Sequence, residues 1–329
     1  MAWDQLDLPY FQNLTDTKPL NNSKLNVADG DSKLTVSGNG FTYVFEKSTG
    51  NLSGLNFGGT ELVKQGPVLN VWRAPLVNET DPWANGGAQL RDRQPGMGNG
   101  PVNNWYSLGI NQLSFKLDQL QWSENEKNQI VITVNNHADG TTYQTAFSNS
   151  FTYTICGDGE MEINHTVTPH GTMPSWLPKV GLQWVLNQSL ENVKWNGRGP
   201  FENYPDRKTG AKLGIYAKTV GEFVEPYLKP QDYGCRTDNR WVTFQNKEGV
   251  GIHFSGEKLF NFSAQSYETD HMGRAQYPYQ LIHSDDITFN FDYATSGVGC
   301  TAISVLNEYR VLPTVYTFVS KVKPFRFDK

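Results

Sequence analysis

The chain has 329 residues, enough for one large domain or two of average size. Its formal net charge is −5 without a run of like charges, so it lacks the basic footprint that nucleic-acid phosphates require. No apolar run approaches the roughly 20 residues of a membrane-spanning helix. Composition therefore predicts neither a nucleic-acid nor a membrane partner. Three widely spaced cysteines, Cys156, Cys235 and Cys300, predict free thiols and not a disulfide framework or zinc site.

Apolar and polar residues alternate along most of the chain, which predicts β-strands. The clearest runs are Leu34/Val36, Phe41/Tyr43/Phe45, Val131–Val134, Phe151/Tyr153/Ile155, Met161/Ile163/His165/Val167 and Ile287/Phe289/Phe291/Tyr293. Gly, Asn and Asp interrupt the alternation at 29–31, 48–51, 138–140 and 157–159, where we expect hairpin turns. No long stretch carries a helical apolar stripe. The pattern predicts an all-β fold with few, short helices.

Two segments depart from this alternation. Residues 13–31 are rich in Asn, Asp, Thr and Ser and are the one plausible connector between domains. Residues 78–104 hold several prolines and glycines and predict a long irregular insertion. Long irregular loops in compact domains are usually functional or mobile.

A first polar candidate site surrounds the end of a predicted strand. Trp72 and Arg73 follow the apolar strand 67–71, and Pro75 stops the strand ladder there. Asn78 and Asp81 lie close enough along the chain to meet Arg73. Two interpretations remain open for Arg73: a sugar contact, or a buried arginine with a carboxylate partner.

Two later runs are denser in polar and aromatic residues than a connecting loop requires. The first, residues 195–207, supplies the candidates Arg198, Glu202, Asn203, Asp206 and Arg207. Sugars are bound by planar bidentate donors and acceptors beside an aromatic face, so these side chains suit ring hydroxyls. The alternative is an internal hydrogen-bond and ion-pair network that holds the loop between two strands.

The second run, residues 226–241, places Arg236, Asp238 and Arg240 at alternate positions before Trp241. Alternation along a strand puts the three charged side chains on one face. Unpaired charges are costly in a core, so this face must be solvated or internally paired. We expect the two runs to meet in one polar cleft, with ligand binding by the second run left open.

These two runs, with Trp72-Arg73-Ala74-Pro75-Leu76 and Gly297-Val298-Gly299, closely resemble the C-terminal domain of glycoside hydrolase family 2 β-galactosidases. The resemblance covers residues 28–329. It implies that they form a large antiparallel β-supersandwich similar to galactose mutarotase. Residues 1–27 resemble the end of a preceding immunoglobulin-like domain and its linker.

The resemblance also implies where catalysis occurs. In that family the domain follows a catalytic (β/α)8 barrel that this sequence does not contain, so we expect a piece of a longer enzyme that is inactive alone. Retaining hydrolysis needs two carboxyl groups about 5 to 5.5 Å apart, and in the family both belong to the barrel. Any divalent cation is expected there too, and no cofactor in this chain. Both the cytoplasm and the periplasm of a bacterium stay open as locations.

Expected partners are a galactoside or other saccharide, together with the barrel and immunoglobulin-like domains of a parent that forms a homo-oligomer. In relatives the loop after Gly297-Val298-Gly299 reaches the active site, and many carry a tryptophan there that stacks on the aglycone sugar. This chain has Cys300 and Thr301 at that place and no tryptophan. Such stacking is worth up to about 1.5 kcal/mol beyond area burial, so its loss implies a different acceptor preference. Alternatively, the loop simply packs on the next segment.

Two other classes of function remain as alternatives. One is a free carbohydrate-binding module that uses the cleft around Arg73 and the two polar runs. The other is an enzyme like aldose 1-epimerase, whose histidine acid and glutamate base are most readily matched by His283 and Glu202. His165 is in phase with apolar neighbours and is expected to be a satisfied core residue.

Overall fold

The computed structural model describes residue 5 and residues 23–80, 101–141, 144–299 and 305–327. These residues form sixteen strands, two short α-helices and three 3-10 turns. The strands are β1 Asn26–Asp29, β2 Lys33–Gly38, β3 Phe41–Glu46, β4 Leu52–Phe57, β5 Thr60–Asn70, β6 Ser114–Glu124, β7 Ile130–Asp139, β8 Thr145–Ile155, β9 Met161–Gly171, β10 Lys179–Asn187, β11 Asn192–Gly199, β12 Lys212–Thr219, β13 Arg236–Gln245, β14 Val250–Gln265, β15 Asp286–Thr295 and β16 Tyr316–Arg326. The helices are α1 Pro101–Leu108 and α2 Thr269–Arg274, and the 3-10 turns are Val220–Phe223, Pro278–Gln280 and Asn307–Tyr309.

The described strands form one large antiparallel sheet, the β-supersandwich that the resemblance implies. Its order is β1-β2-β3-β4-β5-β10-β15-β14-β16-β9-β8-β7-β6, with β13 joined to β14, and β11 between β13 and β12. All six alternating runs lie in strands, so that part of the prediction is confirmed. Hairpins form at the predicted turns because Gly, Asn and Asp adopt turn conformations at little cost.

The predicted irregular insertion over 78–104 is wrong at its end, and residues 81–100 of it lie outside the described residues. Helix α1 begins at Pro101, a residue that favours the first turn of a helix because it needs no backbone N–H there. Trp105 on this helix is fully buried and donates its indole N–H to the carbonyl of Trp176 at 2.9 Å. No helix in the described part of the chain is long and apolar enough to cross a bilayer.

The core lies on one face of the central strands. Alternate residues of β15, Ile287, Phe289 and Phe291, are buried against aromatic side chains of neighbouring strands, such as Phe254. The opposite face of β5, β10 and β15 carries the polar side chains of Asn70, Gln183 and Thr288 beside Val68 and Val185. A separate cluster around Trp72, Trp105 and Trp176 anchors α1. The strand ends beside these clusters carry the sequence-predicted site residues.

Candidate functional site

The candidate site is built around residues 296–299, which we call the rim-loop base. Ser296 and Gly297 follow β15, and Arg73 holds both of them. Its guanidinium donates to the Ser296 carbonyl at 2.8 Å and to the Gly297 carbonyl at 2.9 Å. The same group pairs with Glu79, whose other oxygen accepts the backbone N–H of Leu76 at 2.9 Å.

Arg73 has no exposed surface, so the structure shows the buried-pair interpretation and not an exposed sugar contact. Its carboxylate partner is Glu79, which the sequence interpretation missed in favour of Asn78 and Asp81. Asp81 lies outside the described residues. Burial alone would lower the pKa of Arg73, but the charges of Glu79 and Asp232 outweigh it and raise this pKa. Burial raises the pKa of Glu79 despite the arginine. The guanidinium therefore stays charged and fixes the rim-loop base from inside.

Asp206 and Asn78 hold the rest of the rim-loop base. The carboxylate of Asp206 accepts the backbone N–H of Val298 at 2.9 and 3.0 Å and that of Gly299 at 2.8 Å. The amide of Asn78 donates to the Val298 carbonyl at 3.0 Å. The bonds to Asp206 are charge-assisted, and such bonds are roughly twice as strong as neutral ones. Three side chains from two distant parts of the chain, residues 73–78 and Asp206, thus fix one four-residue segment.

Both glycines of this segment have a structural reason. A Cβ at Gly297 would lie 2.4 Å from an oxygen of Asp206, which is too close for any side chain. Gly299 has φ +63°, in the left-handed region that favours glycine. The Gly-Val-Gly motif is therefore required for the carboxylate to reach two successive backbone N–H groups.

The two polar runs meet, as the sequence predicts, but mainly through internal bonds. Glu202 is buried and accepts hydrogen bonds from Arg207, from the Tyr227 hydroxyl and from the Gly234 N–H at 3.0 Å. Its carboxylate therefore links the first run to the second.

Asn203 makes a second link between the runs. It is fully buried, and its amide oxygen accepts the backbone N–H of Thr237 at 3.0 Å and the hydroxyl at 2.5 Å. Its amide nitrogen donates to the Phe201 carbonyl at 3.0 Å. Asn203 thus has no exposed atom with which to bind a ligand in this structure.

Asp238 joins the runs from the other side. Burial alone would raise its pKa, but Arg198 at 2.5 Å and Lys208 at 2.9 Å outweigh burial, so the pKa of Asp238 is lowered. Arg198 also donates to the Ala211 carbonyl at 2.8 Å. Arg198 and Asp238 are both half-buried, so their ion pair lies at the edge of the bonded network between the two runs and not in its centre.

The predicted single face of Arg236, Asp238 and Arg240 is wrong. The register of β13 shifts on both sides of Asn239, and Asp238 has φ +57°, so the alternation breaks at this point. Arg236 is fully buried and Arg240 is exposed. Trp241 is half-buried, with its ring 6.1 Å from that of His253.

Arg236 contributes to packing instead of lining a cleft. Its guanidinium lies over the rings of Phe223 and Trp195, at 4.7 and 5.5 Å, and donates to the Pro200 carbonyl at 3.1 Å. Burial lowers its pKa. A cation held between aromatic rings is a favourable arrangement when it is desolvated. Like Arg73 and Asn203, Arg236 offers no surface for a ligand.

The structure gives His283 and Glu202 separate partners, so it does not bring the nominated acid and base into contact. His283 contacts the hydroxyl of Tyr267 through Nε2 at 3.0 Å. His165 is a satisfied core residue, bonded to the Tyr293 hydroxyl and to Asn149. Burial lowers the pKa of His165 to about 3.

Sequence reasoning missed a buried ionic cluster that joins the two runs to β10 and β15. Lys179 lies 3.3 Å from Asp292, and the Tyr204 hydroxyl donates to Asp232 at 2.9 Å. Burial raises the pKa of Asp292 to about 6, and it raises that of Asp232. A carboxylate among the aromatic residues of β15 was the available signal, because a buried acid needs a cation or donor nearby.

An open cleft of about 480 Å³ lies on the polar face of β5, β10 and β15. Trp72 is the one predicted site residue among its lining side chains, which include Asn70, Gln183 and Thr288. The amides of Asn70 and Gln183 both donate to Asn290, at 2.9 and 3.1 Å. Planar amides beside an aromatic residue are suited to a polyhydroxylated ligand.

Carboxylates also line this cleft. Two of them are ion-paired, Asp270 with Arg274 at 2.7 Å and Asp286 with Lys64 at 2.5 Å. Among the residues that the structure describes, no three His, Cys, Asp or Glu side chains are grouped closely enough to hold a metal ion.

Comparison with known proteins shows the family of the chain. The family model described as "Beta galactosidase small chain" matches residues 37–321. The chain belongs to this β-galactosidase small-chain family. The match covers β3 to β15, the rim-loop base and both polar runs.

Relatives of this small-chain sequence are much longer. It is 32% identical to the β-galactosidase of Priestia megaterium over 304 residues, which are 91% of this chain and 27% of that protein. The β-galactosidase of Pseudoalteromonas haloplanktis is 29% identical over 84% of this chain and 25% of its own length. That of Kluyveromyces lactis is 28% identical over 97% and 30%. The chain thus spans about a quarter of the length of these relatives.

Solved structures with a similar fold include proteins of mutarotase type. A galactose mutarotase-like protein from Clostridium acetobutylicum has a TM-score of 0.48 and 10% identity, over 93% of this chain and 99% of that one. Galactose 1-epimerase from Lactobacillus acidophilus has a TM-score of 0.48 and 9% identity, over 93% and 100%.

Cys300 and Thr301, the two residues that the sequence predicts in the rim loop, lie outside the described residues. The described chain resumes at Val305, whose carbonyl accepts the Arg310 side chain at 2.8 Å. The Gly297 N–H donates to the Tyr309 carbonyl, also at 2.8 Å. The segments on both sides of residues 300–304 are therefore bonded to each other.

Proposed function

We propose that this chain is the non-catalytic part of a β-galactosidase and holds the loop after Gly299 at the rim of an active site. The catalytic groups belong to what we call the complementary polypeptide, which corresponds to the remaining three quarters or so of the relatives' length. The observation that carries this proposal is the convergence of Arg73, Asn78 and Asp206 on the rim-loop base. Side chains that converge on one backbone segment fix its position, so the rim-loop base can hold the loop that follows it.

The state of three buried carboxylates supports the same division of roles. A glycosidase acid and nucleophile must reach the substrate. Glu79, Glu202 and Asp232 are buried and already bonded to Arg73, Arg207 and Tyr204, respectively. Their chemistry suits a framework. We therefore assign the acid and the nucleophile, and any divalent cation, to the complementary polypeptide.

The test is hydrolysis of a nitrophenyl galactoside by the purified chain, by the complementary polypeptide and by the two together. We expect no turnover by the chain alone and a gain of at least tenfold when it is added to the complementary polypeptide. Turnover by the chain that survives repeated purification would overturn the non-catalytic assignment. Equal activity of the complementary polypeptide with and without the chain would overturn the rim role.

A second candidate role, saccharide binding, is favoured by the cleft that Trp72 lines. Its amides are fixed through Asn290, so a ligand would meet preorganised donors and acceptors. We expect calorimetry with galactose, lactose and galactans to detect binding in the millimolar range, and Gln183→Leu to weaken it. Absence of heat at millimolar sugar would remove this role without affecting the rim role.

A further inference from the structure

A second groove, of about 310 Å³, lies between residues 224–233 and residues 267–281. Its walls are mainly apolar or aromatic, with Tyr227, Leu228, Tyr233, Tyr267, Met272 and Leu281 among the lining residues. Glu225 is the one charged lining residue. A groove with one charged lining residue has the composition of an interface centre, from which charged residues are depleted and in which aromatic residues are enriched.

Large apolar side chains stand exposed around this groove. Leu228 is 93% exposed, Tyr279 is 81% exposed and Ile282 is 67% exposed. The rings of Tyr277 and Tyr279 stack with their centroids 5.5 Å apart, so both present a flat apolar surface. Single exposed apolar residues are common, but a group that borders an apolar groove marks an interaction site.

The groove is preformed by hydrogen bonds behind its surface. Tyr227 is held by its hydroxyl on Glu202. On the opposite wall, the side chain of Gln280 accepts the backbone N–H groups of Gln276 at 2.7 Å and Tyr277 at 3.1 Å. A partner that enters this groove pays little ordering entropy, which favours affinity.

The groove is continuous with the rim-loop base. Gln231, which lines the groove, accepts the backbone N–H of Val77 at 2.9 Å. The next residue, Asn78, donates to Val298 of the rim-loop base at 3.0 Å. A partner that meets the loop after Gly299 is therefore brought to the neighbourhood of the groove.

We propose that this groove is the surface on which the complementary polypeptide of β-galactosidase docks. The inference rests on the proposed function. Two observations select this occupant: the continuity of the groove with the rim-loop base, and relatives more than three times as long as the chain, since 278 matched residues are 25% of one of them. The groove would take one or two apolar side chains of the partner between Tyr227, Tyr233 and Tyr267. Such buried anchors supply most of the energy of a protein interface.

The test compares two isoleucine variants in the assembled enzyme. Ile282→Glu places a charge beside the groove, and Ile215→Glu places the same charge on β12, where Ile215 is exposed to a similar degree, 60% against 67%. We expect Ile282→Glu, and Leu228→Glu likewise, to raise the Kd for the complementary polypeptide at least tenfold. Ile215→Glu should bind as the unmodified chain does. Both sites are exposed, so the thermal unfolding of all three variants should be unchanged.

The readouts are the Kd by sedimentation and the hydrolysis rate as a function of complementary polypeptide concentration. If docking alone is weakened, excess complementary polypeptide restores the rate. Binding of Ile282→Glu and Leu228→Glu with the unmodified Kd would overturn the docking surface while leaving the rim role intact. No binding by the unmodified chain would overturn the rim role and the docking surface together.

Discussion

Arg73→Ala is expected to lower the free energy of unfolding by about 3–5 kcal/mol, because it leaves the buried carboxylate of Glu79 without its cation. It also removes both donors to the carbonyls of Ser296 and Gly297. Chemical denaturation of the purified variant measures the loss. Arg73→Lys should lose less stability, because it keeps the charge beside Glu79. Some loss is still expected, because lysine cannot reach all three acceptors.

The matched control is Arg326→Ala. Arg326 is exposed and, within the described part of the chain, its side chain donates a long hydrogen bond, 3.4 Å, to the Gly58 carbonyl. Its removal should change stability by no more than about 0.5 kcal/mol. If Arg73→Ala and Arg326→Ala unfold at the same denaturant concentration, the buried pair does not contribute as its burial indicates.

Asp206→Ala is expected to reduce hydrolysis by the assembled enzyme roughly 10- to 100-fold, because a displacement of about 1 Å near a reacting group can cost that much. The substitution leaves the backbone N–H groups of Val298 and Gly299 without their acceptor. Stability should fall by about 1–3 kcal/mol, the usual cost of unpaired buried donors. Steady-state kinetics on a nitrophenyl galactoside, with the complementary polypeptide in excess, separate this effect from weaker assembly.

Asp158→Ala is the control for the loss of a carboxylate. Asp158 also accepts a backbone N–H, that of Glu160 at 3.1 Å, and it forms an ion pair with Lys323 at 2.5 Å. It differs from Asp206 in its position, because it lies in the β8–β9 hairpin. It should leave hydrolysis unchanged. Full activity of a folded Asp206→Ala enzyme would contradict the role of the rim-loop base in positioning the loop.

The strands were predictable because alternation is a local property that one sheet face imposes on successive residues. His165 shows the same logic, since its phase with Ile163 and Val167 predicted a core position and the structure confirms it. The face of β13 was not predictable in this way. A bulge at Asp238 breaks the period of two, and nothing in the order of Arg236, Asp238 and Arg240 announces it.

The sequence by itself determined the fold class and the family, because strand periodicity, the Gly-Val-Gly motif and the motifs of the two polar runs are local features of the chain. Only the tertiary structure decided what the polar residues do. Arg73 meets Ser296 across 223 positions, and Asp206 meets Gly299 across 93. Such pairs form because a buried charge or backbone group must find a partner wherever the sheet brings one. Arg73 and Asp206, whose side-chain types also suit sugar binding, therefore bind the backbone of the rim-loop base.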